Sequence, residues 1–414
     1  MIYERGVNSL LRANMVNDYI CIIVGARQTG KTTILRMLFS EAKETGRPAY
    51  FINLEHLEFL SLFNQSPENL FKVVPRLSGT GSLTVFIDEI QYLDNPTHFL
   101  KYLYDTYGKA LKLVVTGSSS FYMDEKFTDS LAGRKRIFTL YSLSFHEFLV
   151  FKGRNDLGEY LPQTFHRDNF RLLQEVPLLY RNDLLPLFSD YARFGGYPRV
   201  VLAETEDEKK AVLEDLVHSS VKKDVLESGV KNPQKYYDLY KLLCSQAGSL
   251  VNRSELSKTI QLSLPSVERY LYVMQKSFHL TLIRSFHHNI RKEIVKLPKV
   301  YPLDTGIRNY LLGNFSDFAL RADKGPFLES LAFRQFLNRF PVDDIKFWRT
   351  QDKNELDFVI QDRLAFEVKA TPEGFSLAKY SNFKSKNPNI PVNVVTYDRV
   401  EDKGLYQVWP VWGI

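Results

Sequence analysis

The stretch Val24-Gly25-Ala26-Arg27-Gln28-Thr29-Gly30-Lys31-Thr32-Thr33 decides how the first part of this chain is read. It fits G-x-x-x-x-G-K-[ST]. An apolar run, Tyr19 to Val24, precedes it, and Ile34, Leu35, Leu38 and Phe39 follow at helical spacing. A strand entering and a helix leaving make this a phosphate-cradling loop. Its glycines let the backbone wrap closely and its N–H groups point inward. The expected binding set is Gly25, Ala26, Gln28, Thr29, Gly30, Lys31, Thr32 and Thr33, with ATP as ligand. Lys31 reaches the β- and γ-phosphates, and the Thr32 hydroxyl is an Mg²⁺ ligand.

Outward from the loop, residues 1–150 alternate strands and helices. Strands are expected at Pro48 to Leu54, Leu83 to Ile87, Leu111 to Thr116 and Arg136 to Leu140, and a helix from Thr97 to Tyr107. That alternation predicts a parallel sheet covered on both faces. Val85-Phe86-Ile87-Asp88-Glu89 is an apolar strand ending in two acids. Behind a phosphate loop, Asp88 is expected to hold the Mg²⁺ shell together with Thr32, and Glu89 to orient and deprotonate the attacking water. Leu113 to Ser118 is a strand with polar residues at its C-terminal edge, where open α/β sheets bind ligands. Thr116 or Ser118 therefore contacts the γ-phosphate or the water, or else the segment is an ordinary Gly-Ser turn.

The bulk numbers set bounds. A chain of 414 residues with 44% hydrophobic residues predicts two to four folded domains. The net charge of +6 and pI near 8.9 permit nucleic-acid binding without establishing it. Two cysteines without metal-ligand spacing, a mixed N-terminus and no apolar run of spanning length predict a cytoplasmic protein away from membranes. The abundant Phe and Tyr are expected to fill cores.

Residues 151–231 read as a helical lid punctuated by Gly195-Gly196-Tyr197-Pro198. Residues 232–298 outline a winged helix-turn-helix. Helices run to Thr259 and from Ser263 to Lys276, then strands cover Phe278 to Ile283 and Ile294 to Val300. Leu271, Val273 and Met274 belong at least partly to a core. Arg284, His287, His288, Arg291 and Lys292 fall where a wing would lie, so this region either contacts DNA or serves packing and partner docking.

Residues 299–414 are mixed α/β, with a helix at Phe327 to Phe340 and strands at Leu356 to Ile360, Leu364 to Val368 and Val392 to Tyr397. Here Asp357 is followed about ten residues later by Glu367-Val368-Lys369 on a second strand. Alternation puts Glu367 and Lys369 on one face, and a hairpin sets Asp357 against them. Asp357 and Glu367 are then candidate ligands for Mg²⁺ or Mn²⁺, and Lys369 a stabiliser of developing charge. Glu-x-Lys alone carries no weight, because Glu41/Lys43 and Glu208/Lys210 repeat it in charged helical segments.

Taken in order, GARQTGKTT, VFIDEIQ, VVTGSSS and SLAGRKR resemble the AAA+-related ATPases of archaea and bacteria. The chain is similar to those carrying a C-terminal PD-(D/E)xK nuclease-like domain. The resemblance implies an α/β multidomain protein: a P-loop AAA+-like parallel sheet (1–150), helical lid, winged helix-turn-helix, and restriction-endonuclease-like α/β domain (299–414). It implies that Ser118 senses the γ-phosphate. It also implies that Arg134 either acts across a subunit interface in a homo-oligomer or is a surface residue of a basic turn. Arg193 and Arg199 are equal candidates for a second sensor. It adds the helix acid Glu329 to the C-terminal site, and it makes Lys299 to Gly306 the entry into that domain. The superfamily's Pro-Asp is Leu356-Asp357 in this chain. The expected function is Mg²⁺-dependent ATP hydrolysis coupled to a domain that binds or cleaves DNA. The alternatives are an ATP-driven scaffolding switch with an inactive docking module, and a DNA-binding transcription factor.

Overall fold

The structure, a computed structural model, describes residues 3–75, 82–117, 131–162, 164–165, 167–287, 289–352 and 354–414. Side chains at 167, 168, 220, 221, 226, 227, 290 and 292 lie outside the description. The chain divides into two compact units, Met1–Ser142 with Lys276–Phe278, and Leu143–Gln275 with His279–Ile414.

The first unit is built on five strands: β1 (Ile20–Val24), β2 (Ala49–Asn53), β3 (Leu83–Asp88), β4 (Leu111–Gly117) and β5 (Lys135–Thr139). Their order is β2-β3-β4-β1-β5, and every pairing is parallel. Strands β1, β3 and β4 are buried at every position, because helices cover both faces, and so they read as continuous apolar runs. One face packs Ile22, Val85, Val115 and Leu100. The other packs Cys21, Ile23, Phe86 and Val114 against Leu35 and Leu38 of helix Lys31–Glu44. Lys112 is an exception inside β4. Its ammonium donates to the carbonyls of Asn14 and Asn17, at 2.7 and 2.8 Å, and so satisfies a buried charge.

The second unit begins with helices, the longest being Leu178–Phe194 and Glu206–Ser228. Thr205 and Glu208 close a capping box at the start of the latter. Helices Pro233–Ser245, Arg253–Ile260 and Leu264–Lys276 follow, then strand β6 (Leu280–Ile283), which pairs antiparallel with β7 (Lys299–Pro302). Asn252 caps helix Arg253–Ile260, its side chain accepting from the Ser254 and Glu255 N–H groups. Val273 and Met274 are fully buried and Leu271 nearly so, as expected of core positions. The strand expected over Ile294 to Val300 is corrected: Ile290–Val295 is helical, and the strand begins only at Lys299.

The C-terminal part is a six-stranded mixed sheet in the order β12-β13-β11-β10-β9-β8. These strands are β8 (Ile345–Arg349), β9 (Glu355–Ile360), β10 (Leu364–Val368), β11 (Val392–Thr396), β12 (Glu401–Asp402) and β13 (Gln407–Pro410). Helix Lys324–Leu337 packs on it, and aromatic rings fill the seam. Phe165 lies 5.9 Å from Phe336, 5.4 Å from Phe366 and 5.5 Å from Trp409.

Two glycine motifs meet inside this unit. The Asp304 carboxylate accepts from Gly306 and Ile307 N–H at 2.9 and 3.1 Å, capping helix Thr305–Leu312. Its other oxygen accepts from Gly196 N–H at 2.9 Å. A Cβ on Gly306 would lie 1.9 Å from the Phe194 carbonyl oxygen, and one on Gly195 2.1 Å from Asp304. Gly195-Gly196 and Leu303 to Gly306 are therefore two halves of one backbone-to-backbone joint.

Candidate functional site

The phosphate loop leaves the C-terminal end of β1 at the centre of the sheet. Gly25 is needed where the loop passes β5, since a Cβ there would stand 2.1 Å from the Leu140 carbonyl oxygen. Gly30, at φ +102°, precedes helix Lys31–Glu44 in a conformation that suits only glycine. Lys31 is buried, and its Nζ donates to the Gly25 and Ala26 carbonyls at 2.9 and 2.8 Å. The Thr29 hydroxyl donates to Ala26 at 2.9 Å. Arg5, distant in sequence, donates to the Thr29 carbonyl at 3.0 Å and to Tyr141 at 3.0 Å, which ties the loop to the start of the chain.

Asp88 ends β3 and is almost fully buried. Burial pushes its carboxyl upward, while hydrogen bonds from Thr116 and Thr32 oppose that shift. Thr116 sits on β4 at the same level of the sheet, one residue beyond the Ile87–Val115 pair. Its hydroxyl donates to Asp88 and accepts from the Glu89 N–H at 3.0 Å. Glu89 adopts a left-handed φ of 58°, and Gln91 donates to its carboxylate. Thr32 and Asp88 are thus hydrogen-bonded beside the loop lysine, a hydroxyl and a carboxylate suited to an Mg²⁺ shell. Thr33 is exposed on the first turn of the helix.

Ser118 lies outside the described residues. Arg134 precedes β5 at the opposite end of the sheet, level with the start of β1. Five residues of strand separate that level from the loop, roughly 16 Å. Its guanidinium pairs with Asp105 at 2.7 Å. Arg193 pairs with Glu206 at 2.7 Å, and Arg199 with Asp215 at 3.0 Å.

The C-terminal acids do come together. Strands β9 and β10 form the expected hairpin, with Phe358 opposite Phe366. The Asp357 carboxylate accepts from the Val368 N–H at 2.9 Å, and Lys369 pairs with Glu367 at 2.7 Å. Glu329 projects from helix Lys324–Leu337. Burial, with Asp357 adding, pushes its carboxyl up to about 8, and burial also raises Glu367. A residue not anticipated completes the group. Lys299, at the start of β7 and 1% exposed, places its ammonium 2.6 Å from Glu355, 2.9 Å from Glu329 and 3.2 Å from Asp357. Burial alone would depress this ammonium, but Glu329, Asp357 and Glu355 more than reverse that and raise it. Tyr301, two residues on, donates its hydroxyl to Glu329.

The expected pair of metal ligands does not fit a metal in this arrangement. Both oxygens of Asp357 already have partners, in Lys299 and the Val368 N–H. Glu367 keeps one buried oxygen without a hydrogen bond, a feature that favours a cation there. Among the described residues, no three His, Cys, Asp or Glu side chains stand so as to hold a metal ion.

Beside this cluster lies an open cleft of about 920 Å³, lined by His287, Arg291, Lys296, Trp348, Arg349 and Lys386 among others. Arg349 joins the two features by pairing with Glu355 at 2.7 Å.

Residues 17–149 match the family model of the AAA domain. Residues 185–317 match a domain of unknown function (DUF8612), and residues 324–414 another (DUF4143). An uncharacterized protein of Methanocaldococcus jannaschii is 24% identical over 429 residues, which cover 98% of this chain and 90% of the relative. One of Haemophilus influenzae is 24% identical over 413 residues, covering 95% and 94%. Among solved structures, Aeropyrum pernix ORC1 in complex with DNA gives a TM-score of 0.31 at 14% identity, covering 76% of this chain and 93% of that one. AMPPCP-bound DnaA of Aquifex aeolicus gives 0.28 at 15%, covering 66% and 89%.

The first unit is thus a P-loop domain of AAA type. Within the first unit, Arg5 and Gln91 were not anticipated. Arg5 lies too far from the loop in sequence to be linked to it. Gln91 stood in the VFIDEIQ motif, two residues after Glu89, and could have been read as its partner. Among the described residues, no helix is long and apolar enough to cross a membrane.

Proposed function

We propose that the AAA domain hydrolyses ATP and that its nucleotide state controls how the C-terminal unit engages DNA. The observation carrying the first part is the joint hold of Thr116 on Asp88 and on the Glu89 N–H, beside Lys31 and Thr32. Thr32 and Asp88 would hold Mg²⁺, which neutralises phosphate charge when bound. Glu89, oriented by Gln91, accepts the proton of the attacking water. Ser118 remains a candidate γ-phosphate sensor. Arg134 lies too far from the loop of its own subunit to act there, which supports a role at a neighbour's nucleotide in a homo-oligomer.

The cleft supports the DNA part, with cationic Arg291, Lys296, Arg349 and Lys386 for phosphates and Trp348 at its wall. The helix-turn-helix draws less support as a DNA contact, because Arg269 on helix Leu264–Lys276 donates to the Ser228 carbonyl at 3.1 Å. The test is DNA affinity across nucleotide states. Glu89→Gln held in ATP should differ at least about fivefold from the ADP-bound and nucleotide-free forms, a coupling of about 1 kcal/mol. Equal affinity in all three states would reject the coupling.

A second reading is favoured by Lys299. The C-terminal domain, with a nuclease-like set of Glu329, Asp357, Glu367 and Lys369, acts as a docking module that does not cleave. Absence of strand breaks with Mg²⁺ or Mn²⁺ and ATP is its expected result.

A further inference from the structure

The acids of the C-terminal cluster already hold a cation, and it is part of the chain. We propose that Lys299 is the resident cation of this cluster, seated among Glu329, Glu355 and Asp357 where a divalent ion would otherwise be drawn. The cluster thereby clasps strand β7 to the C-terminal sheet, and it takes a divalent ion only when the lysine is removed. The inference is independent of ATP hydrolysis.

Three observations carry it. First, the ammonium lies within 3.2 Å of three carboxyl groups from two different elements, β9 and helix Lys324–Leu337. Three donors on one ammonium match three acceptors, so its hydrogen-bonding capacity is used in full. Second, its backbone is fixed on both sides. Ile283 of β6 pairs with it, and Leu250 bridges to it. Third, the neighbouring chain is shaped to the cluster. Gly248 donates to the Val300 carbonyl at 2.9 Å, and a Cβ on Gly248 would lie 2.7 Å from the Glu329 carboxylate. Tyr301 stacks on Phe333 at 4.5 Å while its hydroxyl reaches Glu329. The strand therefore enters the cluster as a fitted part, with Lys299 at its tip.

A divalent ion at the same place would face a buried ammonium, and like charges at that range repel strongly. Lys369 and Lys379 do not fill this place. They approach Glu367 instead, at 2.7 and 3.8 Å.

The test is Mn²⁺ binding to the full chain without nucleotide, followed by the electron paramagnetic resonance of free Mn²⁺ and by thermal unfolding. Wild type should bind no Mn²⁺ tighter than about 1 mM at this cluster. Lys299→Ala should gain a site at least about tenfold tighter and a Mn²⁺-dependent rise in Tm, both lost in Lys299→Ala/Asp357→Asn. Submillimolar binding by wild type that Glu367→Gln removes would overturn the proposal. So would a folded Lys299→Ala indifferent to Mn²⁺. If Lys299→Ala does not fold, the wild-type titration decides.

Discussion

Thr116→Val is the sharpest probe of the nucleotide site. Valine keeps the shape of threonine and deletes one hydroxyl, and that hydroxyl has two duties. It donates to Asp88 and accepts from the Glu89 N–H at 3.0 Å, in surroundings with no solvent exposure. Removing it leaves a buried carboxylate and a backbone N–H each short of a partner. Such losses cost about 1–3 kcal/mol apiece. If about 1.5–3 kcal/mol of this falls on the oriented Glu89, kcat for ATP drops roughly 10- to 150-fold. Nucleotide affinity should change little, because Lys31 and the loop are untouched. The assay is steady-state phosphate release with a separate nucleotide-binding titration, run beside Thr116→Ser. Serine retains the hydroxyl and should restore most of the rate. A Thr116→Val enzyme within about threefold of wild type, or valine and serine variants equally slow, would refute the positioning role.

Gly306→Ala must push the loop off Phe194, whose carbonyl oxygen would meet the new Cβ at 1.9 Å. That also disturbs the Asp304 bond to Gly196. A loss of about 3–5 kcal/mol is expected, against about 1 kcal/mol for Gly313→Ala, where space is open at φ +65°. All three tryptophans, Trp348, Trp409 and Trp412, lie in this unit and report its unfolding in urea. Arg134→Ala should lose ATP hydrolysis and regain it when mixed with Lys31→Ala subunits, each supplying what the other lacks. Full activity of Arg134→Ala alone would end the trans reading. Burial raises Glu329 from 4.5 to about 8, so its stabilising contribution is complete below about pH 4.5 and is lost as pH rises through 8. The Tm of the second unit should therefore fall between pH 5 and 8, and Glu329→Gln should flatten that slope.

The parallel sheet was legible because β1, β3 and β4 are buried on both faces and two of them end in chemistry: Val24 before the loop, Asp88 and Glu89 at the end of β3. The hairpin carrying Asp357 and Glu367 was legible from period-two alternation and spacing alone. Lys299 was not. It lies 30 residues before Glu329 and 58 before Asp357, in a segment whose pattern marks only a strand, and no local rule ties a lone lysine to distant acids. Strand β8 was not legible, because Ile345 to Arg349 mixes charge with bulk rather than alternating cleanly. The helix at Ile290–Val295 was misjudged for a related reason. Its β-branched residues suit a strand, yet at six residues it forms an exposed turn of helix between β6 and β7.

The most direct measurement is Mg²⁺-dependent phosphate release from ATP by wild type and Glu89→Gln, with ATP binding measured in parallel and DNA present or absent. The account predicts release by wild type, and ATP binding at wild-type affinity by Glu89→Gln with release at least about 100-fold slower. Release by Glu89→Gln at the wild-type rate, or none by wild type under either condition, would contradict it.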